Sequence, residues 1–202
     1  MLLLCSNGLS SDKLLASVRF AAAGCRAAAL VVTADNEYKE KNYHVIRCTD
    51  ELESLGLRSV TFDLDRQRAD LLLQYDVVEF IGGNPFYLLH AIRQSGAGQV
   101  LRQIAETKIL IGWSAAAFVF GPSLELVSRC SPEMNFLGLT DLTGLRLTQI
   151  EVLPHYSRFL RKMPHLEATC RAYEAERHTR VLRLDDGDGV WLDRDGEFLS
   201  RI

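Results

Sequence analysis

The sequence lacks both the long apolar run of a membrane protein and the charge surplus of a nucleic-acid-binding protein. Its 202 residues include 23 Lys and Arg against 26 Asp and Glu, which gives a formal net charge of -3. No stretch approaches the roughly 18 apolar residues that a membrane span needs. The apolar start at residues 1–6 is short and has no basic segment, so it favours a buried first strand over a signal peptide. We therefore expect no nucleic-acid partner and no membrane association.

Cysteine is too sparse and too scattered to frame the fold. The chain has five cysteines, an odd number without any CxxC pair. This pattern suits a reducing cytoplasm and indicates neither a disulfide framework nor a zinc site. Hydrophobic residues make up 48% and charged residues 24% of the chain, a balance that excludes a disordered protein. We expect a cytoplasmic globular protein without a disulfide framework or a zinc site.

Short apolar runs alternate with helix-like stretches along the first half of the chain. Runs typical of strands covered on both faces lie at residues 2–5, 28–33, 59–64, 77–81 and 109–111. The stretches between them predict helices at residues 12–23, 43–55, 86–94 and 100–106. Strict alternation of strand and helix indicates a parallel sheet with crossover helices. We therefore predict a three-layer α/β domain with a doubly wound, mostly parallel sheet of the flavodoxin-like or Rossmann-like kind.

The pattern changes after about residue 122. A tract rich in Pro, Gly and Thr leads to a predicted strand at residues 147–153, which a polar helix at residues 167–178 follows. Three short strands are predicted after this helix, at residues 181–184, 190–193 and 197–199. We interpret these three strands as a closing antiparallel meander at the far edge of the sheet, with a hairpin turn at residues 193–196. No repeat or linker interrupts the chain, so we expect a single domain over residues 1–202.

The most informative segment joins a strand to a helix through a serine. Ser114 follows the apolar run at residues 109–111, and small residues flank it at Gly112 and Ala116. A nucleophile elbow needs small residues at these two positions because its backbone turns sharply. Such a turn lifts the hydroxyl above the carboxyl ends of the strands, where ligands bind in open α/β folds. The alternative is that Ser114 only caps the following helix, a role that serine often takes.

A second loop places paired glycines at the end of a strand. Gly82 and Gly83 follow the predicted strand at residues 77–81, and Asn84 and Pro85 open a helix. Paired glycines let backbone N–H groups approach a ligand, although a tight strand-to-helix turn has the same composition. The loop matches neither a GxGxxG nor a Walker pattern, so nucleotide binding is not expected.

A serine nucleophile needs a base, and the chain offers five histidines. His155 is the best candidate because it follows the predicted strand at residues 147–153, which puts the imidazole on the same rim as Ser114. His165, in a predicted loop, is the second candidate. The remaining histidines lie in helix-like, polar surroundings and are expected to be solvated: His44, His90 and His178.

The imidazole of such a base is usually oriented by a carboxylate. An acidic turn late in the chain supplies Asp185, Asp186 and Asp188, although such a turn is also typical of a solvated hairpin. Asp141 would restore the Ser, Asp, His order of α/β-hydrolases. Too little chain lies between Asp141 and His155 for an intervening strand and helix, so that route is disfavoured.

Together these segments resemble the peptidase E family of serine peptidases, which is related to cyanophycinases and has a class I glutamine-amidotransferase-like α/β fold. The glycine loop is similar to the family's GGGN segment and the serine turn to its GxSAGA elbow. The histidine is similar to its PH[FY] segment and the acidic turn to its final Lx[ED]G turn. The four matches occur in the family's order at residues 81–89, 112–117, 152–156 and 184–187. The resemblance implies this fold and a hydrolytic activity on short peptides.

The resemblance also implies a role for each matched residue. It makes Ser114 the nucleophile, His155 the general base and then acid, and Asp186 the orienting carboxylate, with Asp185 as the alternative. The implied substrate is a di- or tripeptide, and the implied reaction runs through an acyl-enzyme without metal or cofactor. The backbone amides of Gly83 and Ala115 would form the oxyanion hole. Three further residues would bind substrate: Gly82, Asn84 and Arg171.

Three departures from the family pattern leave alternatives open. Ala116 adds a methyl at the elbow, Arg129 lies near a position that is acidic in the family, and Arg171 belongs to a degraded form of the family's TRE segment. The family's preference for an N-terminal Asp is therefore in doubt. The departures also leave room for a catalytically impaired homologue with a binding or regulatory role, or for an esterase or amidase on the same fold. We expect a monomer or a homodimer.

Overall fold

A seven-stranded sheet forms the centre of the computed structural model, which describes residues 1–202. The strands of this sheet and of a separate two-stranded sheet are β1 Leu2–Cys5, β2 Ala27–Val31, β3 Arg58–Phe62, β4 Val77–Phe80, β5 Ile109–Trp113, β6 Glu151–Leu153, β7 Val181–Arg183, β8 Gly189–Leu192 and β9 Phe198–Arg201. The large sheet has the order β3-β2-β4-β5-β1-β8-β9. Its first five strands are parallel, whereas β8 and β9 are antiparallel to their neighbours. The predicted doubly wound, mostly parallel sheet with an antiparallel edge is therefore confirmed.

Eight α-helices pack around the strands: α1 Asp12–Ala21, α2 Tyr43–Ser54, α3 Pro85–Ser95, α4 Ala97–Thr107, α5 Ala115–Phe120, α6 Glu125–Cys130, α7 Tyr156–Lys162 and α8 Leu166–Arg177. The first three begin at polar side chains that accept hydrogen bonds from first-turn amides: Ser11, Asn42 and Asn84. None of the eight combines the length and the apolar character that crossing a bilayer requires.

Both faces of the central strands are buried. Alternate residues of β1 point to opposite faces, so that Leu2 and Leu4 join one apolar cluster while Leu3 and Cys5 join the other. The larger cluster includes residues of α3, α4, α5 and α8, and the smaller cluster includes residues of α1 and α2. Apart from Glu79 on β4, the central strands β1, β2, β4 and β5 are apolar because neither face reaches water. Burial of each such side chain contributes about 1.5–3 kcal/mol to stability.

The second half of the chain differs from the sequence prediction. Only β6 remains of the predicted strand at residues 147–153, because two residues before it are bonded to the end of α5 and to the turn between β8 and β9. The Leu147 N–H donates to Phe120 O at 2.9 Å, and Thr148 Oγ1 donates to Gly196 O at 2.6 Å. β7 pairs in parallel with β6 in the two-stranded sheet. The predicted three-stranded meander is therefore wrong, and only β8 and β9 form a closing hairpin.

Two consecutive helices account for the parallel pairing of β6 and β7. α7 and α8 lie between these strands and return the chain to the end at which β6 began. The sequence predicts only α8, because the short α7 has no buried residue and therefore no apolar stripe. The turn at residues 193–196 forms the predicted hairpin, with Gly196 at φ 80° and its N–H bonded to Asp193 O at 3.2 Å.

Candidate active site

Loops at the carboxyl ends of β1, β4, β5, β6 and β7 meet above the large sheet. They carry Ser6, Gly83, Ser114, His155 and Asp186, in that order. Ser6 is hydrogen-bonded to both His155 and Asp186. This edge of an open α/β sheet is where ligands bind. The arrangement therefore brings the predicted nucleophile, base and carboxylate to one crest of the molecule.

A cavity of about 340 Å³, called the crest cavity below, opens among these loops. Its lining contains the hydroxyl-bearing Ser114, the imidazoles of two histidines, one acidic side chain and one basic side chain. The twelve lining residues are Asn7, Asp35, Tyr38, Asn42, Tyr43, His44, Gly82, Gly83, Trp113, Ser114, His155 and Arg158. Ser114 and His155 thus share a ligand-sized space.

Ser114 occupies a strained turn between β5 and α5. Its backbone has φ 53° and ψ -109°, a conformation that residues other than glycine rarely adopt. The Ser114 N–H donates to Cys5 O on β1 at 3.2 Å, which ties the turn to the sheet. The side chain makes no capping hydrogen bond to α5. Its hydroxyl is therefore not used as a helix cap, the alternative that the sequence left open.

Small residues make this turn possible. A Cβ on Gly112 would lie 2.5 Å from Phe120 Cε2, and a Cβ on Gly82 would lie 2.6 Å from Trp113 Cζ3. Packed carbon atoms do not approach so closely, since their optimal separation is about 3.5–4.0 Å. The Ala116 methyl is buried, 3.1 Å from the Cβ position of Gly112, and does not line the crest cavity. Glycine is therefore required at position 112, whereas the methyl of Ala116 fits.

Gly83 brings the glycine loop against the loop that follows β2. Its φ is +156°, and a Cβ there would lie 2.3 Å from Ala34 O, so no other residue fits. The Asn84 N–H donates to the same carbonyl at 2.8 Å, whereas the Gly83 N–H makes no backbone hydrogen bond. Ala115 is the first residue of α5 and has no helical carbonyl one turn before it. Both amides are therefore left for a ligand.

His155 is fixed by its backbone as well as by its ring. It has left-handed angles of φ 56° and ψ 32° just before α7, and its N–H donates to Ser6 Oγ at 2.8 Å. Its Nδ1 lies 2.7 Å from Asp186 Oδ1. Because an ionised carboxylate only accepts, Nδ1 carries the hydrogen and Nε2 is left as an acceptor. Burial lowers the pKa of His155 below its ordinary value of 6.5, although the contact with Asp186 acts in the opposite direction.

Three polar groups converge on the Asp186 carboxylate. Its Oδ1 accepts from Ser6 Oγ at 3.0 Å as well as from His155 Nδ1, and its Oδ2 pairs with Arg158 Nη2 at 2.5 Å. Burial acts to raise the pKa of Asp186. The hydrogen bonds from His155 and Ser6, together with the Arg158 charge, outweigh burial and hold this pKa below its ordinary value. Asp186 is therefore an ionised carboxylate in direct contact with the imidazole.

Trp113 and His44 form an aromatic wall of the crest cavity, with ring centroids 5.2 Å apart in an edge-to-face arrangement. Trp113 Nε1 donates to Glu79 Oε1 at 3.1 Å in the core, where burial raises the pKa of Glu79 to about 8. The prediction that His44 is solvated is wrong. The first turn of α2 lies beside the cavity, so His44 is half-buried and burial lowers its pKa.

Two predicted substrate-binding side chains do not reach the crest cavity. Asn84 caps α3 with its Oδ1 and donates from Nδ2 to Met134 O at 2.8 Å, so both ends of its amide are occupied. Arg171 lies on α8, where its side chain is 76% exposed and pairs with Glu167 one turn away. The other predicted contact of the loop, Gly82, lines the cavity.

The alternative carboxylates lie elsewhere. Asp185 accepts a hydrogen bond from the Ser157 N–H at 2.7 Å and so supports the first turn of α7. Asp141 pairs with Arg93 at 3.0 Å on the surface. Of the carboxylates that the sequence offered, Asp186 is the one that contacts the imidazole.

The alternative histidines also lie outside the crest cavity. His165 is exposed just before α8, and His178 is exposed just after it. His90 lies half-buried on α3. The structure therefore does not bring the second candidate base, His165, to Ser114.

The polar residues of the site that are not predicted from the sequence include Ser6, Asp35 and Arg158. Ser6 is fully buried directly after β1, and Asp35 lines the cavity a few residues after β2. The rule that ligands bind at the carboxyl ends of parallel strands was a signal for both. Arg158 follows His155 by about one helical turn on α7. No signal indicated Arg158, because α7 itself was not predicted.

Comparison with known proteins identifies the family. The sequence profile of Peptidase family S51 matches residues 3–199. The chain belongs to this family. A peptidase E of Shewanella baltica is 30% identical over 165 residues, which cover 78% of this chain and 65% of that protein. The resemblance to peptidase E that the four motifs indicate is thereby confirmed.

Other relatives match over a smaller share of their length. An uncharacterized peptidase of Listeria monocytogenes is 30% identical over 124 residues, which cover 59% of this chain and 60% of that protein. An uncharacterized peptidase of Pasteurella multocida is 27% identical over 132 residues, and the match spans 62% of that protein. This member of Peptidase family S51 thus spans about 60% of the length of these curated relatives.

Solved structures share the fold. A crystal structure of a candidate peptidase E protein from Listeria monocytogenes superposes with a TM-score of 0.74 at 22% identity, covering 100% of this chain and 96% of that one. A crystal structure of a peptidase from an acI-B1 Actinobacterium has a TM-score of 0.68 at 18% identity, with 94% and 81% coverage. At these identities the likeness shows the α/β architecture.

Proposed function

We propose that this member of Peptidase family S51 is a serine peptidase that hydrolyses short peptides through an acyl-enzyme on Ser114. His155 serves as general base and then as general acid, and Asp186 orients the imidazole. The observation that carries the proposal is that Ser114 and His155 line one cavity while His155 Nδ1 lies 2.7 Å from Asp186 Oδ1.

The first half of the proposed reaction forms the acyl-enzyme. His155 Nε2 takes the hydroxyl proton of Ser114 as Oγ bonds to the carbonyl carbon of the substrate. The negative charge that develops on the carbonyl oxygen receives hydrogen bonds from the N–H groups of Gly83 and Ala115. His155 then delivers its proton to the leaving amine as the C–N bond breaks.

The second half regenerates the free enzyme. A water molecule gives a proton to His155 Nε2 while its oxygen attacks the ester carbonyl on Ser114. The same two amides stabilise the second tetrahedral intermediate. The Ser114 Oγ then leaves with the proton from His155, and the acid product is released.

The electrostatics around His155 support the role of a base. A lowered pKa keeps the imidazole neutral before the reaction, so Nε2 is available to accept a proton near neutral pH. The lowered pKa of Asp186 keeps this carboxylate ionised, and its charge stabilises the imidazolium that forms. The proton moves between Ser114, His155 and substrate, while Asp186 remains charged.

The crest cavity favours a short substrate with a free amino group. Its volume of about 340 Å³ is at the small end of the range for ligand sites. Asp35 lines the cavity next to Gly83, whose Cβ position is 2.8 Å from the Asp35 N. Burial acts to raise the pKa of Asp35, but hydrogen bonds from Tyr38 and Asn42 outweigh it, so the carboxylate is ionised. We therefore propose a di- or tripeptide whose N-terminal ammonium pairs with Asp35.

The departures that suggested an impaired homologue lie away from the crest cavity. The Ala116 methyl faces Gly112 in the core. Arg129 pairs with Glu176 at 2.8 Å and lies over the ring of Tyr173. Neither Ala116 nor Arg129 lines the cavity. Their positions favour an active enzyme over the binding or regulatory alternative.

A survey of hydrolysis by the purified protein tests the proposal. The substrates are dipeptides with N-terminal Asp, Glu or a neutral residue, together with matched esters. We expect peptide cleavage by the wild type and a loss of about 10⁴-fold or more in Ser114→Ala, because the nucleophile is gone. Ser128→Ala, a serine change on α6, serves as the control and should keep the wild-type rate. Cleavage of esters alone, or an unchanged rate in Ser114→Ala, would contradict the proposal.

A further inference from the structure

A second polar cluster lies in the core behind the wall of the crest cavity. The Cys48 cluster consists of Cys48 and Glu51 on one face of α2 and Glu79 on β4. Cys48 and Glu79 are fully buried. One ligand atom from each of the three side chains lies within 4.8 Å of the other two. Buried acidic groups are costly unless they are protonated, paired or bound to a metal, so a metal ion is one of the ways in which this cluster is neutralised.

Each carboxylate of the Cys48 cluster has one oxygen that is held and one that is free. Glu79 Oε1 accepts from Trp113 Nε1 at 3.1 Å, and Glu51 Oε1 pairs with Arg47 Nη1 at 2.7 Å. The two Oε2 atoms are buried and have no hydrogen-bond partner. The indole and guanidinium donors thus orient the carboxylates in the way that outer-shell groups orient metal ligands.

The charges of the cluster balance with a divalent cation. When deprotonated, Cys48, Glu51 and Glu79 carry three negative charges, and Arg47 beside Glu51 carries one positive charge. Two negative charges remain, and one divalent cation neutralises them. Binding of the cation therefore releases the protons that neutralise these buried groups when no metal is bound.

The ligand chemistry favours zinc. A thiolate is a soft ligand that suits Zn²⁺, whereas Mg²⁺ and Ca²⁺ take oxygen ligands. Zinc lies about 2.3 Å from a thiolate sulfur and about 2.0–2.2 Å from a carboxylate oxygen. The three ligand atoms lie within 4.8 Å of one another and would need to approach by roughly 1 Å to bind one zinc ion. Arg47 and Glu51 also line a surface cavity of about 530 Å³, which offers an entry path and room for a fourth, water ligand.

We propose that Cys48, Glu51 and Glu79 bind a zinc ion that ties α2 to β4 behind Trp113. None of the three ligands lines the crest cavity, so the site is separate from the proposed peptide hydrolysis. This proposal departs from the sequence-based expectation of no zinc and no metal, which rested on the absence of paired cysteines. A site with one cysteine and two glutamates from different elements has no fixed ligand spacing, unlike zinc sites with paired cysteines, so it is not recognised from the sequence.

Cobalt and zinc binding to the purified full-length chain tests the site. After treatment with a chelator, the protein is titrated with Co²⁺, which reports a thiolate ligand through a charge-transfer absorption in the near ultraviolet. We expect one cobalt ion per chain and loss of the absorption when zinc is added. Zinc should also raise the Tm of the chelator-treated protein, because it binds the folded state.

Matched variants locate the metal. Cys48→Ser and Glu51→Gln are expected to abolish the cobalt absorption and to weaken zinc binding by at least about 10-fold. Cys130→Ser and Glu151→Gln change a buried cysteine and a buried glutamate elsewhere, so they should bind as the wild type does. Absence of the absorption in the wild type, or its persistence in Cys48→Ser, overturns the proposal. If Cys48→Ser does not fold, the half-buried Glu51→Gln decides, and wild-type zinc affinity in that variant overturns the proposal.

Discussion

The hydroxyl of Ser6 joins His155 to Asp186. It accepts a hydrogen bond from the His155 N–H at 2.8 Å and donates one to Asp186 Oδ1 at 3.0 Å. Ser6 follows β1 of the large sheet, whereas His155 and Asp186 follow the two strands of the small sheet. One buried hydroxyl therefore holds the proposed base and its carboxylate over the crest of the large sheet.

Ser6→Ala is expected to lower kcat on a dipeptide more than it changes KM. The change removes a hydrogen bond to the Asp186 carboxylate, worth about 1.5–3 kcal/mol, and one to the neutral His155 N–H, worth about 0.5–1.5 kcal/mol. A fall in kcat on the order of 10-fold or more follows. Ser17→Ala is the control because Ser17 Oγ donates to Leu14 O on α1, away from the site. Equal kcat values for the two variants would show that the Ser6 contact does not position the base.

Asp186→Asn and Asp185→Asn are expected to behave very differently. Asp186 contacts the His155 ring, so its amide variant loses the tautomer control and should lower kcat by about 10⁴-fold. Asp185 accepts from the Ser157 N–H, so its variant should cost about 1 kcal/mol of stability with far less loss of kcat. Steady-state kinetics and urea unfolding measure both effects. The reverse order of kcat losses would identify Asp185 as the orienting carboxylate.

The acid limb of the pH profile of kcat/KM is expected to have its midpoint below pH 6.5. The proposed base must be neutral to accept a proton, and burial lowers the pKa of His155 from its ordinary value of 6.5. More than half of the maximal kcat/KM should therefore remain at pH 6.5. Arg158→Ala should move this limb to higher pH, because the Arg158 charge lowers the pKa of His155. A midpoint above pH 6.5 in the wild type would exclude His155 as described here.

Asp35→Asn is expected to raise KM for peptides with a free amino group. An ammonium loses a charged partner worth about 1.5–3 kcal/mol, which corresponds to about 10-fold or more in KM. Acetylation of the substrate amine should weaken binding to the wild type and have little further effect on Asp35→Asn. The exposed neighbour change Glu37→Gln is the control. If acetylation raises KM by the same factor in Asp35→Asn and in the wild type, Asp35 does not bind the substrate amine.

Gly112→Ala is expected to harm the elbow more than Ala116→Gly does. A methyl at position 112 would lie 2.5 Å from Phe120 Cε2, and such overpacking costs about 1–3 kcal/mol. The displaced turn should also lower kcat, because it carries Ser114. Ala116→Gly should cost about 1 kcal/mol through helix propensity and leave kcat within a few-fold of the wild-type value. Urea midpoints and dipeptide kinetics check both, and a large kcat change in Ala116→Gly would reopen the question of an impaired elbow.

The parallel half of the fold is predictable because local and long-range requirements agree there. Strands such as β1 and β2 are apolar on both faces, and the helices between them carry recognisable caps. The second half is less predictable because its pairing depends on contacts between distant loops. Thr148, for example, bonds to Gly196 instead of extending β6, and nothing local in the sequence indicates that contact.

The candidate site also contains residues that the sequence predicts and residues that it does not. Ser114 and His155 follow apolar runs, so the strand-end rule places both on one rim before the structure is known. Ser6 and Arg158 are not predictable from the sequence, because their roles depend on contacts with Asp186 that form only in the folded chain. Glu79 is not predictable either, since it is an acidic residue within an otherwise apolar strand. Asn84 shows the converse, because its motif position predicts a substrate contact while its amide is occupied by α3 and Met134.

Covalent trapping at Ser114 tests the central claim most directly. The purified protein is incubated with a fluorophosphonate, digested, and analysed by mass spectrometry of its peptides. The proposed mechanism predicts a single adduct on Ser114, formed more slowly in His155→Ala and at an unchanged rate in His165→Ala. Adduct formation on another serine, or equal trapping rates in the wild type and His155→Ala, would contradict it.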